Sequence, residues 1–267
     1  MQRVSPLLTV MIAAAQKAGR ALRRDFNEVE NLQVSRKGPA DFVSKADTKA
    51  EKVLVEELQK ARPAYGFLLE ESGEIEGTDI SNRWIIDPLD GTTNFLHGIA
   101  HFAVSVALER DRRIEAGVVY NPITDDLYYA ERGKGAFHND KRLRVSGRSD
   151  LSESIFATGV PFLGRPDHEP FLAELKGVMA STAGVRRFGA AALDLAFVAA
   201  GRYDGYWERN LKSWDIAAGL LLVREAGGFI TDMEGRDKML ETGGVIATNA
   251  SLDRTFPALL RDSRKSD

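Results

Sequence analysis

Hydrophobic patterning changes character near residue 150, and no linker, low-complexity tract or internal repeat marks the change. Before that point, two helical segments are followed by short apolar runs separated by turn signals. After it, strand-like and helix-like segments alternate. The first texture is that of an antiparallel meander and the second that of α/β units. A chain carrying both without a spacer is expected to form one compact unit over 1–267, softly divided into an N-terminal half (1–150) and a C-terminal half (151–267).

The segments can be placed from local chemistry. Ser5 as N-cap and Pro6 behind it predict a helix with an apolar stripe of Leu7, Met11, Ala15, Ala18, Leu22 and Phe26, leaving Arg20, Arg23 and Arg24 on the solvated side. The stripe continues past the small residues at 13–15, so the segment reads as a helix rather than a cleaved signal. No apolar run approaches the roughly 20 residues that span a bilayer, and a cytoplasmic location with no membrane contact is expected. A polar connector over 27–40, ending in Arg36-Lys37-Gly38-Pro39, precedes a second helix over 48–61 stopped by Pro63. Strands are expected at 67–69 and 84–86, each ending in a carboxylate, then at 102–109, 114–120, 126–130 and 137–145. Beyond residue 150, strands at 155–158, 185–188, 203–208, 229–231 and 245–247 alternate with helices at 168–180, 190–200, 214–226 and a last one ending near 261.

Composition narrows the chemistry. The 267 residues contain no cysteine, which excludes disulfides, thiolate nucleophiles and thiolate-bound zinc or iron–sulfur centres. A chain of this length buries about 73% of its unfolded surface and needs no such staples. With only four histidines, any metal is expected on oxygen ligands. The net charge of -3 creates no global field for nucleic acid or a membrane.

The most informative stretch is Trp84-Ile85-Ile86-Asp87-Pro88-Leu89-Asp90-Gly91-Thr92-Thr93-Asn94-Phe95. An apolar strand delivers Asp87 to its end, Pro88 is expected to force a turn, and Gly91-Thr92-Thr93 opens a short helix. Two carboxylates three residues apart can then converge, beside helix N–H groups open to an anion. Carboxylates and a phosphate repel unless a hard divalent cation lies between them, so the pattern implies Mg²⁺ and a phosphate ester. Taken alone, Asp-Pro and Asp-Gly are also ordinary turn dipeptides. An EF-hand is excluded by Pro88 and Leu89, which break its alternating donors. A haloacid-dehalogenase-type phosphatase is disfavoured, because Pro88 stands at the position of its nucleophilic Asp and a proline cannot form an acyl phosphate.

Leu68-Leu69-Glu70-Glu71-Ser72 and Trp214-Asp215-Ile216-Ala217-Ala218-Gly219 add acids at another strand end and at a helix start. With WIIDPLDGTTNF, they make the sequence resemble the inositol monophosphatase family, closest to its bacterial inositol-1-monophosphatase branch. DFVSKAD at 41–47 and RRFGAAALDLAFVAAG at 186–201 extend the resemblance over nearly the whole chain.

The resemblance implies an α+β fold of the sugar-phosphatase type. This is a five-layered αβαβα sandwich, with an antiparallel sheet in the N-terminal half and a smaller mixed sheet in the C-terminal half. It also implies two or three Mg²⁺ ions: Glu70, Asp87 and the Leu89 carbonyl would bind the first, and Asp87, Asp90 and Asp215 the second. A third, weaker ion would also use Glu70. Thr92 and Asp47 would form the hydrogen-bonded pair beside the attacking water, with Glu70 as a further catalytic group. Asp47 by itself reads as a cap for the helix expected at Thr48. Gly91 and Thr92 would hold phosphate, while Gly189, Ala190, Ala191, Glu208 and Asp215 would line the alcohol side. Ala190 stands where many family members have Ser or Thr, and Leu69 where Gly is common.

The implied reaction is hydrolysis of a small phosphomonoester, inositol monophosphate foremost, by direct attack of metal-activated water, with lithium sensitivity and a homodimeric state. Fructose 1,6-bisphosphate, histidinol phosphate and nucleotide 3'-phosphate are rival substrates. A protein- or RNA-binding role on the same scaffold is the non-enzymatic alternative. His97, His101, His138 and His168 are scattered and read as non-ligating, and Arg186-Arg187 as an interface or solvated edge.

Overall fold

Ser5 starts the first helix through its side chain. Its Oγ accepts the Leu8 N–H at 3.2 Å, and α1 runs Pro6–Phe26. The computed structural model describes residues 4–28, 34–38 and 41–265. Leu8, Met11, Ala15, Ala18 and Leu22 form the buried stripe of α1, while Leu7 and Phe26 are only half-buried. The expected connector contains a hairpin of β1 (Val34–Gly38) and β2 (Asp41–Ser44); residues 29–33 and 39–40 lie outside the described part, as do the side chains of Arg36 and Lys37. β2 leads directly into α2 (Lys45–Ala61), which therefore begins three residues before Thr48. Asp47 lies inside its first turn rather than before it, where a carboxylate complements the helix dipole.

The large sheet is built from β3 (Tyr65–Leu69), β4 (Gly73–Ile75), β5 (Asp79–Asp90), β6 (Ala103–Arg110), β7 (Arg113–Asn121), β8 (Asp126–Glu131), β9 (Gly135–His138) and β10 (Lys141–Arg142), with α3 (Thr92–Leu96) between β5 and β6. Its order is β10-β9-β8-β7-β6-β5-β3-β4, antiparallel except for the parallel β3–β5 pair. The exposed β4 has no hydrophobic run to reveal it. The strand expected over 137–145 is interrupted at Asn139 and Asp140, whose φ angles of 43° and 68° suit a tight hairpin turn.

The second sheet comprises β11 (Ile155–Thr158), β12 (Gly184–Arg186), β13 (Gly205–Glu208), β14 (Phe229–Thr231) and β15 (Val245–Thr248), in the order β12-β11-β13-β15-β14. β12, β11 and β13 are parallel, and the rest antiparallel. The intervening helices are α4 (His168–Ser181), α5 (Ala191–Ala199), α6 (Ser213–Glu225), α7 (Met239–Thr242) and α8 (Thr255–Ser263). The one-turn α7 is too short for a periodic signal.

Strand alternation explains the layers. In β5 and β6, Trp84, Ile86, Val104, Val106 and Leu108 face a core shared with α1 and α2. Their neighbours Ile85, Ala103 and Ala107 face the opposite core, shared with α5, α6 and the inner face of the second sheet, including Tyr206 and Ala247. Phe156, Trp207 and Ile246 turn outward against Phe171 and Val178 of α4 and Phe256 and Leu260 of α8. The layers are helix, sheet, helix, sheet, helix, and α6 approaches β7 closely enough that a Cβ on Gly117 would lie 2.9 Å from Ala218 Cα. The middle helix layer brings β5 toward the C-terminal half.

Candidate active site

The Asp87–Asp90 segment is a bulged strand end rather than the turn expected at Pro88. Asp87 pairs with Ser105 and Asp90 with Ala103, so three steps along β5 match two along β6. Pro88, which has no N–H to offer the ladder, sits in the bulge. The Asp87 carboxylate accepts the Leu89 N–H at 2.9 Å and stabilises the local bend. Gly91 then takes φ 94°, a left-handed conformation suited to glycine, and α3 begins at Thr92.

The predicted acids reach the same region from three places: Asp87 and Asp90 at the end of β5, Glu70 after β3 and Asp215 in α6. Glu70 follows β3 and donates its N–H to the Ile86 carbonyl at 3.2 Å. Asp90 Oδ2 accepts the Ala192 N–H at 2.7 Å, linking the end of β5 to the first turn of α5. Asp215 in the first turn of α6 accepts the Lys212 N–H at 2.7 Å. Burial raises the Asp87 carboxyl well above the usual range, and Glu70, Asp90 and Asp215 push it further in the same direction. Asp90 is raised by burial and Asp215, with the Ala192 N–H opposing. Asp215 is pushed up to about 7 by burial, with the Lys212 N–H opposing.

These four residues are an all-oxygen donor set in which Glu70, Asp90 and Asp215 raise Asp87, and Asp215 and Glu70 raise Asp90. Asp87 and Glu70 also hydrogen-bond each other, which requires a proton, or a cation in its place. That chemistry fits hard divalent ions. Among the described residues, no three acidic or imidazole side chains already enclose a single point. The set is a group of neighbouring carboxylates, three of them (Asp87, Asp90 and Asp215) held by backbone N–H groups, rather than a closed cage.

The predicted catalytic pair is in contact. Thr92 Oγ1 lies 3.0 Å from Asp47 Oδ1 and 3.1 Å from the Leu89 carbonyl oxygen. A single hydroxyl proton serves these two acceptors, leaving Thr92 oxygen lone pairs available to another donor. Asp47 is fully buried. On the alcohol side, Gly189 has φ 79°, and Ala190 comes close enough to lie 3.4 Å from a Cβ placed on Gly91. Ala190 and Ala191 are themselves buried, as backbone contributors would be. Glu208 ends β13, accepts the Tyr206 hydroxyl at 2.5 Å and is raised by burial.

Three supporting residues escaped sequence reasoning. Glu51, one helical turn after Asp47, is buried and accepts the Glu71 N–H at 2.9 Å and the Ser72 hydroxyl, fixing the turn that carries Glu70. Its i, i+4 spacing from Asp47 was the available signal. Asn94 donates 2.7 Å hydrogen bonds to the carbonyls of His101 and Phe188, tying α3 to the loop before Gly189. Asp194 in α5 is buried and raised first by burial, then by Glu208 and Asp90. The four histidines lie outside the acidic set: His138 Nε2 lies 2.6 Å from Asp126, while His97 and His168 contact backbone carbonyls.

Comparison with known proteins agrees with this architecture. The model of the inositol monophosphatase family matches residues 3–266. An inositol-1-monophosphatase of Mesorhizobium japonicum is 62% identical over 261 residues, 98% of this chain and 97% of the relative. The Nus factor SuhB of Escherichia coli is 43% identical over 257 residues, 96% of each chain. The crystal structure of the extragenic suppressor protein suhB of Bartonella henselae superposes with a TM-score of 0.94 at 59% identity, covering 96% of this chain and 99% of that one.

Proposed function

Because the chain belongs to the inositol monophosphatase family of phosphomonoester hydrolases, we propose that it hydrolyses inositol monophosphate to inositol and phosphate with Mg²⁺ as cofactor. The observation that carries this reading is the gathering of Glu70, Asp90 and Asp215 around Asp87 beside the start of α3, close enough that all three raise its carboxyl. Glu70, Asp87, Asp90, Asp215 and the Leu89 carbonyl would hold two or three ions. When bound, these ions supply activation of the attacking water and neutralisation of the leaving oxygen.

The chain's own groups do the rest. Asp47 holds Thr92, whose hydroxyl oxygen orients the attacking water. The N–H groups of Gly91 and Thr92 bind phosphate oxygens at the opening of α3. Glu208 accepts hydrogen bonds from the alcohol, and the Gly189-Ala190-Ala191 backbone forms the adjoining wall. No covalent phosphoenzyme is part of the scheme. A homodimer, lithium inhibition and a cytoplasmic location belong to the same proposal; among the described residues, no helix is long and apolar enough to cross a membrane.

Phosphate release with Mg²⁺ tests the reading over inositol phosphates, fructose 1,6-bisphosphate, histidinol phosphate and adenosine 3',5'-bisphosphate. Inositol monophosphates are expected to turn over fastest, and a silent panel overturns the proposal. The 43% identity to a Nus factor favours one second reading, a binding role alongside the enzyme. It predicts a protein or RNA partner that stays bound to a D90N variant.

A further inference from the structure

The loop between β11 and α4 places an arginine beside the alcohol side of the site. Gly159, Val160, Arg165, Trp207, Glu208 and Asp215 line a common pocket there. The backbone N–H of Arg165 donates to the Phe162 carbonyl at 2.9 Å, closing a turn. Its side chain donates from Nη1 to the Asn210 carbonyl at 3.2 Å and lies 5.1 Å from the Phe162 ring centroid. One edge of the guanidinium is therefore anchored, while most of its five N–H groups are left for other acceptors.

Glu208 is positioned with equal care. Tyr206 donates to one carboxylate oxygen, and a Cβ on Gly159 would lie 1.9 Å from the carboxyl carbon. Residue 159 must be glycine for the acid to occupy this place. Arg165 lies within electrostatic range of Glu208, whose carboxyl, raised by burial, is drawn back down by the Tyr206 hydroxyl, then Arg187, then Arg165.

We propose that Arg165 is a specificity-determining residue whose guanidinium pairs with the Glu208 carboxylate to read neighbouring hydroxyl groups on the alcohol part of the substrate. The inference rests on the polyol-phosphate reading and extends it to a residue of the 159–167 loop. A carboxylate only accepts and a guanidinium only donates, whereas each hydroxyl of a vicinal diol does both. The pair can therefore satisfy two adjacent hydroxyls at once. An alcohol lacking them leaves both polar groups without those bonds, a strong source of discrimination. A second anionic group fits less well, because Glu208 and Asp215 line the same pocket and would repel it.

The test compares inositol 1-phosphate with p-nitrophenyl phosphate, whose leaving group carries no further hydroxyl, using the full chain with Mg²⁺. R165A is expected to lower kcat/KM about tenfold more for inositol 1-phosphate than for the aryl ester, chiefly through KM. R165K should recover less than half of this loss, because it keeps the charge but not the fork. Thermal melts establish that both variants are folded. Equal losses on both substrates, full recovery by lysine, or a larger loss on fructose 1,6-bisphosphate than on inositol 1-phosphate overturns the inference. If the parent chain hydrolyses the aryl ester but does not prefer inositol phosphates, this inference fails while a metal-dependent phosphatase stands. If it hydrolyses neither substrate, both readings fail.

Discussion

Asp90 contributes a carboxylate to the acidic set and accepts the Ala192 N–H, and substitution separates these roles. D90N retains an oxygen acceptor for Ala192 but loses the charge. Its phosphate release is expected to fall by about three orders of magnitude, corresponding to several kcal/mol of lost transition-state stabilisation, while its melting temperature changes little. Retained activity in a folded D90N variant would remove Asp90 from the mechanism. His101 provides a different residue-scale prediction. Burial lowers its pKa from 6.5 to about 4, and its ring lies tilted against Phe188, with centroids 5.1 Å apart. The unfolded chain takes up the proton first as pH falls, so this group's contribution to stability is present above pH 6.5 and is lost progressively down to about 4. In denaturant unfolding, H101F should lose less stability than the parent between pH 7 and 4.5. At this scale the sequence exposed the acids and the Thr92–Asp47 pair because motif position carries them. Glu51 and Asn94 stayed hidden because their roles depend on main-chain groups 20 to 94 residues away.

Strand ends and helix starts perform the positioning, and two changes test them. G159A places a methyl group against Glu208 on the adjoining strand end, with Cβ 1.9 Å from the carboxyl carbon. It should raise KM for inositol 1-phosphate several-fold through displacement of Glu208, as steady-state kinetics will read. E51A leaves the Glu71 N–H and Ser72 hydroxyl without their acceptor at the turn after β3. It is expected to cost about 1–3 kcal/mol in denaturant unfolding and to weaken Mg²⁺ activation through a misplaced Glu70. Element existence was largely legible: α1, α4, α5, α6 and most strands lie where periodicity puts them. The misses have physical causes. β4 is an exposed edge with no apolar run, and α7 is one turn long. The start of α2 is set by the preceding hairpin, which puts Asp47 inside the first turn, where it accepts a hydrogen bond from Thr92. Pro88 reads as a turn former but occupies a bulge because β6 continues to pair on both sides of it.

The central core draws Ile85, Ala103 and Ala107 from one half of the chain and Leu195, Leu221 and Tyr206 from the other. This sharing supports the proposal that the chain unfolds as one unit. Coincident fluorescence and circular dichroism transitions are expected in denaturant, whereas two separated transitions would divide the halves. The sequence by itself determined the type of most elements, because side-chain period distinguishes helix from strand. It also pointed to a hard, oxygen-rich site, because acids without cysteine leave few other ligands. Only the tertiary structure decided how these acids are brought near one another. Glu70, Asp90 and Asp215 are separated along the chain and approach because α5 and α6 pack between the two sheets. Only the fold, likewise, set Arg165 beside Glu208, since a loop's reach depends on the strands and helices that anchor its ends.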